Sequence, residues 1–386
     1  MIFLLLAFGL LFPWDSYSGS GSGADGAPPP PAEKTRRDES SYNDCAQFIA
    51  GMHNRESALA PYEGRSAWVQ HAKFFDQSWQ KYRDNQLAPM RKWAGDELKA
   101  AASSRQPVLY PFSGADFISI YTLFPNARTY VMMALEPVGK IPNFPTLSET
   151  ELSTFLGDLQ HSLHDLLSFN YFVSAHMKAN LAQKELSGVL PLLLFFMARE
   201  KARVLDVKYC FMKADGTVRE TPAPAPGSAD STDIPGVRIV FESTGSQETQ
   251  TLYYFRFNLY HFGQSKHFVS FLKGLGPLTT FMKSASYVMF DPGVSGARQF
   301  VLDQSLYILQ EDSGIPLKYF DLAVWDLRFY GAYSGPPSFF NNRYQEDLAK
   351  IYKTDKNIRP LPFGIGYHFR VNTSNLMFAA SKEKPL

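Results

Sequence analysis

The sequence predicts an α/β fold, with α+β as the alternative, in which an N-terminal helical segment precedes a central mixed sheet. Three observations predict it. Apolar residues recur at helical spacing from Asp44 to Ala102, apolar strand-like runs then alternate with helical stretches, and beyond Arg203 the period shifts towards two. A chain of 386 residues, 45% hydrophobic, fills one large core or two ordinary ones, because single cores stop growing near ~250–300 residues. Residues 42–386 are therefore expected to form one large or bilobal domain, with lobes near 42–200 and 201–386.

The chain opens on an apolar run, Met1–Phe12, followed by Pro13, Trp14 and a Ser/Gly stretch. The run is too short to cross a bilayer, which takes about 20 residues. It fits the apolar part of a secretory signal, with Ser16 and Ser18 near a cleavage point, although no basic residue precedes it. Residues 1–18 read as that signal and 19–41, with Pro28–Pro31, as a Ser/Gly/Pro tether. The expectation is an exported protein, in the periplasm or at the surface of a bacterium, with no transmembrane span in its mature form. Lys and Arg total 38 against 37 Asp and Glu, which leaves no field to gather nucleic acid. Cys45 and Cys210 form either one disulfide or two buried thiols, and no metal spacing can be built from them.

Trp68, Phe75, Trp79, Tyr82 and Leu87 make a helical stripe that Met90, Trp93 and Leu98 continue past Pro89. Val108–Phe112 reads as a strand, Ser113–Asp116 as a turn, Phe117–Phe124 as a short helix and Thr129–Leu135 as a second strand, the order of a βαβ unit. Ser148 and Glu151 form a capping-box pair that opens a helix running to about Ala182. Leu192–Met197 is a core helix. Val204–Met212, Val237–Glu242 and Thr251–His261 read as antiparallel strands, with a mobile loop over 221–236. A second βαβ-like stretch follows: strand Ser284–Phe290, helix Val294–Gln304, strand Leu306–Leu309. Its order matches the first unit, which leaves internal duplication and coincidence both open. The tail holds a helix near Tyr344–Tyr352 and strand-like segments Phe363–Val371 and Leu376–Ala380.

The candidate site residues cluster at strand ends. Tyr110, Ser113, Gly114 and Asp116 surround a turn between a strand and a helix start, where backbone N–H groups suit an anion. Glu136 stands at the end of the next strand, where nucleotide-binding α/β folds hold ribose hydroxyls. The plainer role for Asp116 is an N-cap. Glu311, Asp312 and Ser313 form the second cluster, in which adjacent carboxyls share a proton, bind a cation or simply make a turn. Asp116, Glu136 and Asp312 are the candidate catalytic carboxyls; Tyr110, Ser113, Gly114, Glu311 and Ser313 are candidate binding residues. His161, His164 and Asp165 lie near one another on the long helix without a third metal ligand, and read as a solvated face. No metal site is assigned, and the cofactor, if any, stays open. Nucleophile-elbow, Walker, HExxH and calcium-loop motifs do not occur.

Two resemblances follow. The Tyr110–Asp116 turn with Glu136 resembles class I methyltransferases that use S-adenosylmethionine, though the turn has one glycine where such loops carry two or three. Phe48-Ile-Ala-Gly51, Tyr110-Pro-Phe-Ser-Gly114, Leu135-Glu-Pro-Val-Gly139, Lys283-Ser-Ala-Ser-Tyr287, Leu309–Pro316 and Pro362–Tyr367 together resemble a family of uncharacterised bacterial exported proteins. That likeness implies bacterial origin and export and carries no activity with it. The expected function is a binding or accessory protein of the cell envelope, for a small molecule, a glycan or an envelope protein. The alternatives are a carboxylate-dependent hydrolase and a degenerate methyltransferase-like domain.

Overall fold

The structure is a computed structural model that describes residues 41–169, 186–222, 233–244, 248–264 and 266–383. All of them belong to one compact unit, Ser40–Leu386. The signal-like segment, the tether, residues 223–232 of the predicted loop and the far end of the long helix lie outside the described residues.

Helix α1 (Tyr42–Ile49) starts on a capping box between Ser41 and Asp44. Helix α2 (Ser66–Tyr82) buries Trp68, Phe75, Trp79 and Tyr82, as the stripe predicts. A single π turn, Arg83–Leu87, joins it to α3 (Ala88–Glu97). Pro89 has no N–H to give and its ring crowds the carbonyl four residues earlier, and the wider turn relieves both problems. The short α4 (Lys99–Ser103) follows.

The first βαβ unit forms as predicted, from β1 (Val108–Pro111), α5 (Phe117–Leu123) and β2 (Thr129–Ala134), with β1 and β2 parallel. Helix α6 (Glu149–Phe169) opens on the predicted capping box: the Glu151 amide donates to Ser148 Oγ at 3.2 Å, and the Ser148 amide to Glu151 Oε2 at 2.8 Å. On α6, His161 and His164 are exposed, but Asp165 is buried, so the expected solvated face is only partly solvated. Helix α7 (Leu190–Arg199) is the predicted core helix. Strands β3 (Arg203–Met212), β5 (Ile234–Glu242) and β6 (Thr249–Arg256) pair antiparallel, and β4 (Val218–Thr221) adds to β3. Beyond Arg256 the chain leaves the predicted Thr251–His261 strand for a 3-10 helix, Leu259–Gln264.

The second βαβ unit is displaced from its expected place. After α8 (Lys266–Gly274), strand β7 is Leu278–Met282, followed by α9 (Ser295–Gln304) and β8 (Ser305–Gln310). Ser284–Phe290 is not a strand: Ser284, Ser286 and Tyr287 take left-handed backbone with φ of 50°, 49° and 53°, which no strand accommodates. The tail contributes β9 (Trp325–Gly331), α10 (Glu346–Thr354) and β10 (Asn375–Ser381). Phe363–Val371 is likewise not a strand. At Gly364 a Cβ would stand 1.6 Å from the Phe369 carbonyl, so the chain folds back tightly on itself there.

The ten strands form one sheet in the order β4-β3-β5-β6-β2-β1-β7-β8-β10-β9. Strands from both sides of residue 200 interleave in it. The five central strands β6, β2, β1, β7 and β8 are parallel, and β10 enters antiparallel between β8 and β9. Alternate side chains feed two cores, as the pleat requires. Tyr110, Tyr130, Met132, Tyr254 and Phe281 face the layer of α1, α2 and α5 to α7, whereas Leu109, Val131, Met133, Met282 and Ile308 face α8 and α9. From the neighbouring strands β1 and β7 the chain therefore leaves to opposite faces, which makes the gap between their carboxyl ends a topological switch point.

Candidate functional site

A cleft of about 180 Å³ opens at that switch point. Tyr110, Ser113, Gly114, Asp116 and Glu136, all singled out from the sequence, line it together. Lys283, Ser284 and Ser286 from the turn after β7 complete the wall, and Leu135 and Tyr260, 63% and 47% exposed, form an open apolar mouth. Sequence reasoning missed these, although Lys283, a single cation closing the apolar strand Leu278–Met282, was a signal within reach.

Asp116 and Lys283 form the floor. Lys283 Nζ stands 2.6 Å from Asp116 Oδ2, with both side chains 2% exposed. Tyr110 donates its hydroxyl to the same oxygen at 2.9 Å, Lys283 also donates to Ser119 Oγ at 3.1 Å, and the Ser119 amide donates to Asp116 Oδ1 at 3.2 Å. One carboxylate thus caps α5, as expected, and also ties β1 to β7 across the switch point. So many donors offset the cost of burying its charge. Burial and the Asp116 charge hold the Tyr110 phenol protonated, well above its ordinary pKa.

Ser113 anchors the turn to β2, its amide and hydroxyl both donating to the Met133 carbonyl, at 3.0 and 3.2 Å. Phe112, with φ 63°, and Gly114, with φ 53°, bend the chain there. Glu136 is half-buried at the wall. Burial raises its carboxyl pKa, against the opposing pull of its own and the Leu135 backbone N–H groups and of Arg256.

The second predicted cluster divides. Glu311 accepts from the Ser284 amide at 2.8 Å, and Ser313 Oγ accepts from the Ala285 amide at 2.7 Å, so both support the turn after β7 from behind. Ser313 also donates to Glu311. Asp312 faces away from the cleft, accepting from the Tyr287 hydroxyl at 2.8 Å and the Asn375 amide at 2.9 Å. Burial and the neighbouring Asp312 charge push the Glu311 carboxyl up to about 8, so it keeps its proton at neutrality. The three candidate catalytic carboxyls therefore do not converge: Asp116 and Glu136 share the cleft and Asp312 does not.

Among the described residues no group of three or more His, Cys, Asp or Glu side chains could hold a metal ion, and no helix is long and apolar enough to cross a membrane. Cys45 and Cys210 are buried and are not joined in a disulfide. No protein-family model, curated protein or solved structure matches the chain.

Proposed function

We propose that this protein binds an adenosyl ligand without phosphates, of the S-adenosylmethionine type, in the cleft between the ends of β1 and β7. One observation carries this: the cleft opens at the switch point of five parallel strands, beside an acidic residue at the end of β2. The order β6-β2-β1-β7-β8, with an antiparallel strand entering before β9, resembles that of class I methyltransferases, a likeness of fold and so an analogy for function.

The residues present favour a nucleoside over a dinucleotide. A pyrophosphate needs a free helix N-terminus and glycines that let it approach. Here the buried Asp116 carboxylate occupies the start of α5, and an anion beside it would be repelled. Glu136 would accept from the ribose hydroxyls, and the Tyr260 ring and the Leu135 side chain offer apolar surface to a base. A volume of about 180 Å³ is below the ~300–1,000 Å³ of sites that enclose a whole ligand, so part of the molecule would lie in the open mouth. S-Adenosylmethionine, once bound, supplies an activated methyl group; the protein's part is to align it with an acceptor.

Calorimetry with S-adenosylmethionine, S-adenosylhomocysteine, adenosine and NAD tests the proposal. Binding of the first three, weakened at least tenfold by Glu136→Ala, is expected. Preference for NAD, or binding indifferent to Glu136, would overturn it. Adenosine belongs in the panel because an exported chain would not meet a cofactor made in the cytoplasm. We also propose export, on the apolar Met1–Phe12 run, and cell fractionation of the full chain tests it.

A further inference from the structure

The turn after β7 has three residues of left-handed backbone, Ser284, Ser286 and Tyr287, a strained conformation that persists only where the surroundings over-determine it. They do. The Ser284 amide donates to Glu311, the Ala285 amide to Ser313, and the Ser286 amide to the Tyr367 hydroxyl at 3.1 Å. That hydroxyl also reaches Ser286 Oγ at 3.1 Å and donates to the Ser284 carbonyl at 3.2 Å. The Tyr367 ring lies nearly parallel to that of Tyr287, at 9°, with centroids 6.2 Å apart.

Tyr367 is itself firmly held. Gln86 donates to the Gly364 carbonyl at 2.7 Å, the Ile365 amide donates to Ser374 Oγ at 2.8 Å, and Phe363 packs edge-on against Trp93 at 5.4 Å. At Gly366, with φ 68°, a Cβ would come within 2.8 Å of the Glu311 carboxyl, so only glycine lets this segment close on the turn. Against this constraint one group stands out: Ser284 lines the cleft, and its Oγ is buried with no hydrogen-bond partner among the described residues. A buried hydroxyl left unpaired is destabilising, and the turn holds it there regardless.

We propose that Tyr367 is a positioning residue that locks the turn after β7 so that Ser284 Oγ points at the ligand, whose polar group completes its hydrogen bonding. This rests on the cleft being the binding site. It is tested by amide hydrogen exchange on the full chain, with and without Tyr367→Phe, and by a double-mutant cycle for S-adenosylhomocysteine binding with Ser284→Ala. Tyr367→Phe keeps the ring and is expected to lose exchange protection over residues 284–288 while α2 and α7 stay protected. Each single variant is expected to weaken binding about tenfold, and the double variant also about tenfold. Unchanged exchange over 284–288, or an additive loss of ~100-fold, overturns the proposal. Should the wild-type chain bind none of the nucleosides while exchange responds as expected, the function proposed above fails and the lock stands.

Discussion

Asp116 and Glu311 are both buried carboxyls just beyond the ends of central strands, yet only Asp116 is paired with a cation. Asp116 meets Lys283 at 2.6 Å together with two further donors, and it forms the floor of the cleft. Glu311 meets Asp312 and no cation, and burial with that like charge keeps it protonated. The difference shows that a strand-end acid takes its role from what the adjoining strand delivers. The turn after β7 delivers a lysine to one and a backbone amide to the other.

The largest effect expected from breaking this contrast is at the ion pair. Lys283→Met strands Asp116 as an unpaired buried charge and is expected to cost about 3–5 kcal/mol, measured as a fall in the chemical denaturation midpoint. A loss below about 1 kcal/mol would mean that water reaches Asp116 and the floor is not dry.

Glu311→Gln should act more mildly and with a distinct pH signature. The folded pKa of Glu311 is raised, so its contribution is fully present below the ordinary carboxyl range and lost as pH rises through about 8. The wild type is therefore expected to lose stability between pH 5 and pH 9, and the Gln variant to lose less over the same range. Parallel pH profiles of the two proteins would contradict a protonated Glu311.

Glu136 sharpens the comparison from the ligand side. Its raised pKa predicts that adenosyl binding weakens as pH falls through it, because the protonated acid is a poorer acceptor for ribose hydroxyls. Glu136→Gln should flatten that dependence in calorimetry. The smallest expected effect is Ser148→Ala, about 1 kcal/mol, from loss of the α6 cap.

Much of the fold was legible where the local signal was strong. The capping box of α6, the βαβ unit at Val108–Ala134 and the apolar α7 all stand where their patterns put them. The failures share one cause. Ser284–Phe290 ends in an apolar run that reads as a strand, but its backbone is bent left-handed where it meets Glu311, Ser313 and Tyr367, none of which is a sequence neighbour. The same holds for the site. Tyr110, Ser113, Gly114, Asp116 and Glu136 lie within one βαβ unit and were readable together, whereas Lys283 and Ser284 reach the cleft only because β7 pairs with β1. Periodicity does not encode that pairing.

The most direct test of the binding claim is a crystal structure of the protein with S-adenosylhomocysteine at saturating concentration. Density between the ends of β1 and β7 is expected, with the ribose hydroxyls on Glu136 and a polar group of the ligand on Ser284 Oγ. A ligand bound elsewhere, or a cleft without ligand under those conditions, would contradict it.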